Sequence, residues 1–312
     1  MTLGDQVDEG ESFALLDIAM DHGVTVFDTA NSYNAGRSEE IVGRWLKRRG
    51  VRDGIVLSTK VRYAVGDDPN TVGLAPRVIT REIDASLRRL DTDYVDIYYL
   101  HQPDDDVPIV ETWECLDRLV TAGKVRCIGL SNFAAWQIVE AIYTAREHGW
   151  PSPAVTQPIY NLVARGAEGE LWPMVQRFNL AACVYNPLAG GLLTGKHSTG
   201  DDALPGTRLA TSDVYRGRYW HSRQRQVAAR FCELAVAHGR TATELAMRFV
   251  LDAPAVTSVL VGASARGQLE ETLKALDAPA LSSAERAVCD ELWKELSGPV
   301  PRYYRTNREP SA

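Results

Sequence analysis

Seven short apolar or β-branched runs recur along this chain: Val24–Phe27, Ile55–Thr59, Tyr94–Leu100, Arg126–Leu130, Ala154–Thr156, Ala181–Tyr185 and Thr257–Val261. Most are followed by a segment with apolar residues at helical spacing: Glu39–Arg48, Pro76–Leu90, Ile109–Ala122, Trp136–Glu147, Leu171–Phe178 and Gln268–Leu276. Such alternation means parallel strands joined by crossover helices. An open doubly wound sheet would carry G-x-G-x-x-G after its first strand, and none occurs there. The repeat runs through seven units, and a further helical segment, Glu11–His22, precedes the first and wants a strand before it. The pattern therefore predicts an α/β fold, a (β/α)8 TIM barrel. Met1-Thr2-Leu3-Gly4 is expected to be the carboxyl end of the eighth strand, the rest of that strand being missing. A barrel of this kind holds 312 residues in one domain, so residues 1–312 are expected to form a single unit. A long polar, Gly-rich insert at about 188–223 is expected to act as a cover, and the tail GPVPRYYRTNREP to run irregularly over one barrel face.

Composition narrows the partners. The formal net charge is −7, and no basic block exceeds the short KRRGVR run at Lys47, which argues against nucleic acid or an anionic membrane surface. No apolar run approaches the ~20 residues of a membrane span, and no leader pattern stands at the amino end. Five cysteines, Cys115, Cys127, Cys183, Cys232 and Cys289, are scattered without a CxxC pair. They read as reduced thiols of a cytoplasmic protein. Nothing in the sequence fixes an oligomeric state.

In a barrel, chemistry collects where strands end and enter the following loop. Those ends carry Asp28, Lys60, His101, Ser131 with Asn132, Gln157, Asn186, and Gly262 with Ser264. Lys60, directly after the apolar run IVLST, is costly to bury unpaired, and Asp28 on the neighbouring strand is the available anion. Tyr33 lies five residues beyond Asp28 in a polar loop. A cation beside it is expected to draw the phenol pKa from ~10 toward neutrality, making Tyr33 a general acid near pH 7. His101 would hold a carbonyl oxygen in line with that acid. Each residue alone has a plainer reading: Asp28 as a cap, Lys60 as a snorkelling chain, His101 as a satisfied structural histidine, Tyr33 as a packed loop aromatic. All four in barrel order favour chemistry.

At these residues the sequence resembles the aldo-keto reductase superfamily over nearly its whole length. FDTANSYNAGRSEEIVG, LSTK, SLRRLDTDYVDIYYLHQPD, AGKVRCIGLSNF and YNPLAGGLLTGK carry the resemblance, in that family's order. It implies a catalytic tetrad of Asp28, Tyr33, Lys60 and His101, and reduction of an aldehyde or ketone with hydride from a nicotinamide and a proton from Tyr33. By the same resemblance Ser131, Asn132 and Gln157 hold the nicotinamide carboxamide, and Tyr185 stacks on the ring. Asn186, Pro187, Leu188, Gly190, Gly191, Leu193, Gly195 and Lys196 would wrap the pyrophosphate, the glycines allowing close backbone approach. GGLLTGK also fits G-x-x-x-x-G-K of a triphosphate loop, but His197 stands where a Ser or Thr would meet magnesium.

Arg208, Gly262, Ser264, Arg266, Gln268, Glu271 and Thr272 match the adenosine end, where Ser264 and the following helix start would meet a 2′-phosphate. Members with a Lys-Ser pair and a later arginine differ here, since this chain has Ala263 and Gln268. NADPH is the expected cofactor, with NADH the alternative, and no metal. NPLAGGLLTGK, YRGRYW and the closing Tyr304-Arg305 pair are similar to the aflatoxin-aldehyde and succinic-semialdehyde reductase branch, which makes Tyr215 and Arg218 the candidate substrate contacts. Family members begin with a hairpin and a full first strand, whereas this chain opens MTLGDQVDE; either its start is truncated or a shortened strand suffices. The rival function is a channel-associated, redox-sensing subunit that binds NADP(H) with little turnover. A metal-dependent or glycosidic barrel would need a second strand-end acid or a histidine cluster, and the sequence has neither.

Overall fold

The computed structural model describes residues 2–197, 202–299 and 303. Seven strands form one parallel sheet in sequential order: β1 (Val26–Asp28), β2 (Val56–Val61), β3 (Val95–Leu100), β4 (Val125–Ser131), β5 (Val155–Gln157), β6 (Ala181–Tyr185) and β7 (Ser258–Leu260). The sheet curls into a nearly closed (β/α)8 TIM barrel. Every strand lies within about two residues of its sequence-based position, the usual error at element ends.

Helices α1 (Glu9–Asp21), α2 (Arg37–Arg49), α3 (Pro76–Leu90), α4 (Ile109–Thr121), α5 (Ala135–His148) and α6 (Leu171–Phe178) surround the first six strands. The insert folds as two short helices, α7 (Arg208–Thr211) and α8 (Asp213–Tyr219), leading into α9 (Ser222–Ala237). Next come α10 (Ala242–Leu251), α11 (Arg266–Lys274) after β7, and α12 (Ser283–Ser297). Local chemistry sets several ends. Asp8 accepts from Glu11 N to cap α1, Thr241 caps α10 through Glu244 N, and Ser282 with Glu285 forms a capping box on α12.

Strand periodicity of two divides the side chains. Phe27, Leu57, Tyr98, Leu100, Ile128, Leu130, Ala182 and Val184 face the helices and form the main core with Trp45, Ile79, Ile83 and Trp113. The alternate positions face the barrel interior, where Tyr99, Val155 and Cys183 pack with Ile97, Ala181 and Leu260. Asp28, Lys60, Ser131, Gln157 and Tyr185 share that inward parity, so the alternation that builds the core also aims them into one mouth.

The start differs from expectation. Residues 2–7 are a turn, with Leu3 in an isolated bridge to Val7 and Gly4 N donating to Val7 O at 2.9 Å. No strand ladder joins β1 to β7 among the described residues. The helical layer closes that side instead: Val7 and Leu15 pack on Leu269 and Leu273 of α11. Tyr304 and Arg305 lie outside the described residues.

Candidate active site

Lys60 is wholly buried and ion-paired with Asp28, whose side chain is 10% exposed. Its ammonium also donates to Thr29 O at 2.7 Å. The other Asp28 oxygen, Oδ1, accepts from Ser58 Oγ at 2.6 Å and from Gln157 Nε2 at 3.2 Å. Taking such a pair out of water is costly unless the remaining lone pairs and N–H groups are hydrogen-bonded, as they are here. Lys60 Nζ lies 5.2 Å from the centroid of the Tyr33 ring. Tyr33 and His101 meet edge to face at 5.8 Å between centroids, and Tyr63 approaches His101 from the loop after β2 at 4.8 Å. The structure thus brings Asp28, Tyr33, Lys60 and His101 together as the sequence predicts.

The loop that carries Tyr33 is strained. Asn34 and Ala35 both sit in the left-handed region, at φ 52° and 53°, and Gly36 follows at φ 91°. A non-glycine residue there costs roughly 1–2 kcal/mol, less for asparagine, so the surroundings must impose the conformation. Asn34 Nδ2 donates to Leu3 O at 2.6 Å. Beneath Gly36 runs the Arg89 side chain, so close that a Cβ on Gly36 would stand 2.7 Å from Arg89 Cδ. Arg89 Nε donates to Glu39 Oε2 at 2.6 Å, and Thr59 Oγ1, next to Lys60, donates to Glu39 Oε1 at 2.5 Å. Sequence reading missed Glu39, Arg89, Thr59 and Ser58. SEEIVG and SLRRL contain two of them, but nothing local separates a buried Glu39 from an ordinary first-turn acid.

One electrostatic expectation is overturned. The Tyr33 phenol is pushed up from its ordinary value, first by burial and next by the Asp28 carboxylate, while Arg208 opposes the shift weakly. Asp28, paired with Lys60, lies on the same side of the phenol, and burial together with that carboxylate outweighs any pull of the ammonium. Tyr33 consequently stays protonated across the physiological range. Burial, helped by the Lys60 charge, pulls His101 down to about 3, which leaves a neutral imidazole at the mouth.

Around this cluster lie the remaining predicted residues. Ser131 Oγ donates to Gln157 O at 2.9 Å, Asn132 Nδ2 to His101 O at 2.8 Å, and Tyr185 OH to Asn132 Oδ1 at 2.8 Å. Past Tyr185 the chain turns through left-handed Asn186, Ala189, Gly190, Gly191 and Gly195. Asn186 Oδ1 accepts from Gly190 N at 2.8 Å, and a 3₁₀ segment covering Leu193 completes the turn after Pro187 and Leu188. A Cβ on Gly190 would reach Tyr215 Cδ1 at 2.8 Å, and one on Gly191 would reach Lys196 Cε at 2.8 Å. The turn is therefore a glycine cradle with Lys196 folded over it. Burial and the neighbouring Arg208 both depress the Lys196 ammonium. Among the described residues neither Lys196 nor Arg208 is paired with a carboxylate. Two cations beside a glycine-rich turn suit an anion such as a pyrophosphate.

Arg208 lies over the Tyr215 ring at 5.0 Å, and Arg218 over the same ring at 5.9 Å. At the adenosine end the groups engage one another. Ser264 N and Oγ both donate to Gln268 Oε1 at 3.2 Å, Thr272 Oγ1 is buried and donates to Gln268 O at 2.8 Å, and Gly262 and Glu271 are exposed. Arg266 forks onto Glu11 of α1, with Nη2 to Oε2 at 2.6 Å. No group of His, Cys, Asp or Glu placed to hold a metal occurs among the described residues.

Known proteins resemble this chain over most of its length. Residues 1–294 match the Aldo/keto reductase family. The uncharacterized oxidoreductase YrpG of Bacillus subtilis (strain 168) is 33% identical over 97% of this chain and 93% of its own. Aflatoxin B1 aldehyde reductase member 2 of Rattus norvegicus is 33% identical over 98% and 86%. A probable voltage-gated potassium channel subunit beta of Arabidopsis thaliana is 36% identical over 89% and 85%. A parallel barrel whose mouth gathers a buried Asp-Lys pair, a tyrosine and a histidine, together with a family match across nearly the whole chain, places this protein in the aldo/keto reductase family of NAD(P)H-dependent oxidoreductases.

Proposed function

We propose that this chain reduces a small aldehyde or ketone to an alcohol with NADPH, NADH being the alternative donor, and that Tyr33 gives the proton. The reading rests on one observation above the others: a protonated tyrosine and a neutral histidine meet edge to face beside a buried ammonium. When bound, the cofactor supplies hydride to the carbonyl carbon. His101, neutral, offers an N–H to the carbonyl oxygen and holds it toward Tyr33. As charge grows on that oxygen it becomes more basic than a phenolate, so the raised Tyr33 phenol still gives up its proton. Lys60, fixed by Asp28, then faces the phenolate left behind and stabilises it.

Ser131, Asn132 and Gln157 would hold the carboxamide, Tyr185 would carry the ring, and the loop from Asn186 to Lys196 with Arg208 would take the pyrophosphate. At the adenosine end Ser264 would serve a 2′-phosphate once Gln268 turns aside, and Arg266 once it leaves Glu11. Arg218 of the insert lies over the Tyr215 ring, and both are close enough to Tyr185 to act on it electrostatically, which favours a carbonyl compound bearing a carboxylate. The test is NADPH consumption against a panel of small aldehydes with and without a carboxylate. Wild type that oxidises NADPH with none of them would remove the enzyme reading. Likeness to the channel subunit beta supports the second reading, a cofactor-binding sensor, for which the same panel gives tight NADPH binding without turnover.

A further inference from the structure

Helix α3 buries a carboxylate that the chemistry above does not use. Glu82 stands in the middle of that helix and is 2% exposed. A carboxylate so placed is costly unless it is hydrogen-bonded, and an apolar side chain would avoid the cost. Its close contact is to the loop after β1: Asn31 Nδ2 donates to Glu82 Oε2 at 3.0 Å. Arg81 Nε lies 3.9 Å from the other oxygen, but that side chain is 46% exposed and reaches out to Asp68 at 2.6 Å. The group that Glu82 holds is therefore Asn31.

Asn31 is wholly buried and stands two residues before Tyr33. Its backbone N–H donates to Lys60 O at 3.3 Å, following the bond from Thr29 N to Ser58 O at 2.9 Å, so the chain here runs beside the end of β2. Tyr33 N then closes a turn on Ala30 O at 3.1 Å, and Asn31 lies inside that turn. Backbone bonds fix the turn along β2, and the Asn31 amide fixes it against the helical layer. Asn31 Oδ1 is buried without a hydrogen-bond partner, so the amide is kept at a cost for the bond its nitrogen makes. Arg89, seven residues after Glu82, lies two turns further along the same face of α3 and fills the space beneath Gly36, three residues after Tyr33. One helix thus grips the chain on both sides of the phenol.

We propose that Glu82 is a positioning residue for proton transfer: by holding Asn31 it fixes the turn that aims the Tyr33 phenol at the carbonyl oxygen. This rests on the reading of Tyr33 as proton donor given under Proposed function. Glu82 acts on the reaction through Asn31 alone.

The test cuts this tie from both ends. With a reactive small aldehyde, kcat, KM and NADPH affinity are measured on wild type, Glu82→Gln, Glu82→Leu, Asn31→Ala and the Asn31→Ala, Glu82→Leu double variant. Glu82→Leu and Asn31→Ala should each lower kcat by about ten- to a hundredfold, the loss expected when a reacting group is displaced by ~1 Å. KM and NADPH affinity should stay nearly unchanged, and the solvent isotope effect on kcat should rise because the proton step has slowed. Glu82→Gln keeps an acceptor for Asn31 and should retain most of the turnover. The double variant should lose no more than either single one, since all three lack the same bond. Wild-type kcat in Glu82→Leu, a Glu82→Gln as slow as Glu82→Leu, or losses that multiply in the double variant would each overturn the assignment. A second arm needs no ligand: amide hydrogen exchange in Glu82→Leu should be faster over residues 29–36 and unchanged over β4. Unaltered exchange over residues 29–36 overturns the proposal by itself. Wild type that turns over no aldehyde would remove the reductase reading alone, and the exchange comparison would still decide whether Glu82 holds the turn.

Discussion

His101 should make the folded chain measurably acid-sensitive. Its imidazole titrates at 6.5 when unperturbed, but burial and Lys60 hold it at about 3 in the folded protein. Between those values the unfolded chain has taken up the proton and the folded chain has not, so stability falls as pH falls. The contribution is fully present above pH 6.5, declines by about 1.4 kcal/mol per pH unit below it, and stops changing near the folded value. At pH 5 the loss relative to pH 8 is about 2 kcal/mol. Urea melts of wild type and His101→Gln at pH 8, 6 and 5 isolate this effect, because the carboxylates titrate alike in both chains. Wild type should lose about 2 kcal/mol more than the variant at pH 5. Equal losses, or an imidazole NMR resonance that titrates near 6.5, would refute the argument. The same burial bears on the chemistry. Nδ1 is buried without a hydrogen-bond partner, so a proton placed there would be an unpaired donor; it belongs on the other ring nitrogen, where an N–H can serve a carbonyl oxygen.

Three further outcomes follow. Tyr33→Phe should lower kcat on the order of 10²-fold or more while NADPH affinity, read by fluorescence titration, stays nearly unchanged; a variant with normal turnover would remove the proton-donor role. Lys60→Met strands the Asp28 carboxylate and should cost about 3 kcal/mol in urea melts as well as activity, with Asp28→Asn in the same chain recovering part of the stability. Gly191→Ala forces a side chain onto φ +99° and to 2.8 Å from Lys196 Cε, so NADPH should bind more weakly than to wild type in the same titration, with the unliganded fold retained.

Much of this was open to reading because it is periodic. The strand pattern marked Asp28, Lys60, Ser131 and Gln157 as strand ends, and in the folded chain they and Tyr185 share one parity, which a parallel barrel turns into one mouth. Gly190, Gly191 and Gly195, read through the resemblance as allowing close backbone approach, all sit at positive φ. What did not come through was electrostatic and long-range. Proximity of a lysine to a tyrosine suggested an acidified phenol, but burial and Asp28 outweigh it, and burial is a property of the folded chain alone. Arg266 looked available for a phosphate until α1 brought Glu11 to it, a partner distant in sequence. The first residues, read as a strand end, form a turn because no neighbouring strand pairs with them.

The loop of Tyr33 shows why such contacts matter to the chemistry. Its two consecutive left-handed non-glycine residues cannot be the loop's own preference, and a lone 3₁₀ turn supplies too little to hold them. The restraint comes from below, where Arg89 of α3 fills the space that only Gly36 leaves open and is pinned by Glu39 of α2. Glu39 is also bound to Thr59, one residue from Lys60. One buried carboxylate therefore ties the backbone that carries the acid to the strand that carries the ammonium. The Tyr33 to Lys60 distance is set by that tie rather than by attraction between the two groups, which fits a lysine that is ion-paired with Asp28. A site so arranged keeps its geometry whether or not the phenol is ionised, and a proton donor needs that constancy as its charge changes during turnover.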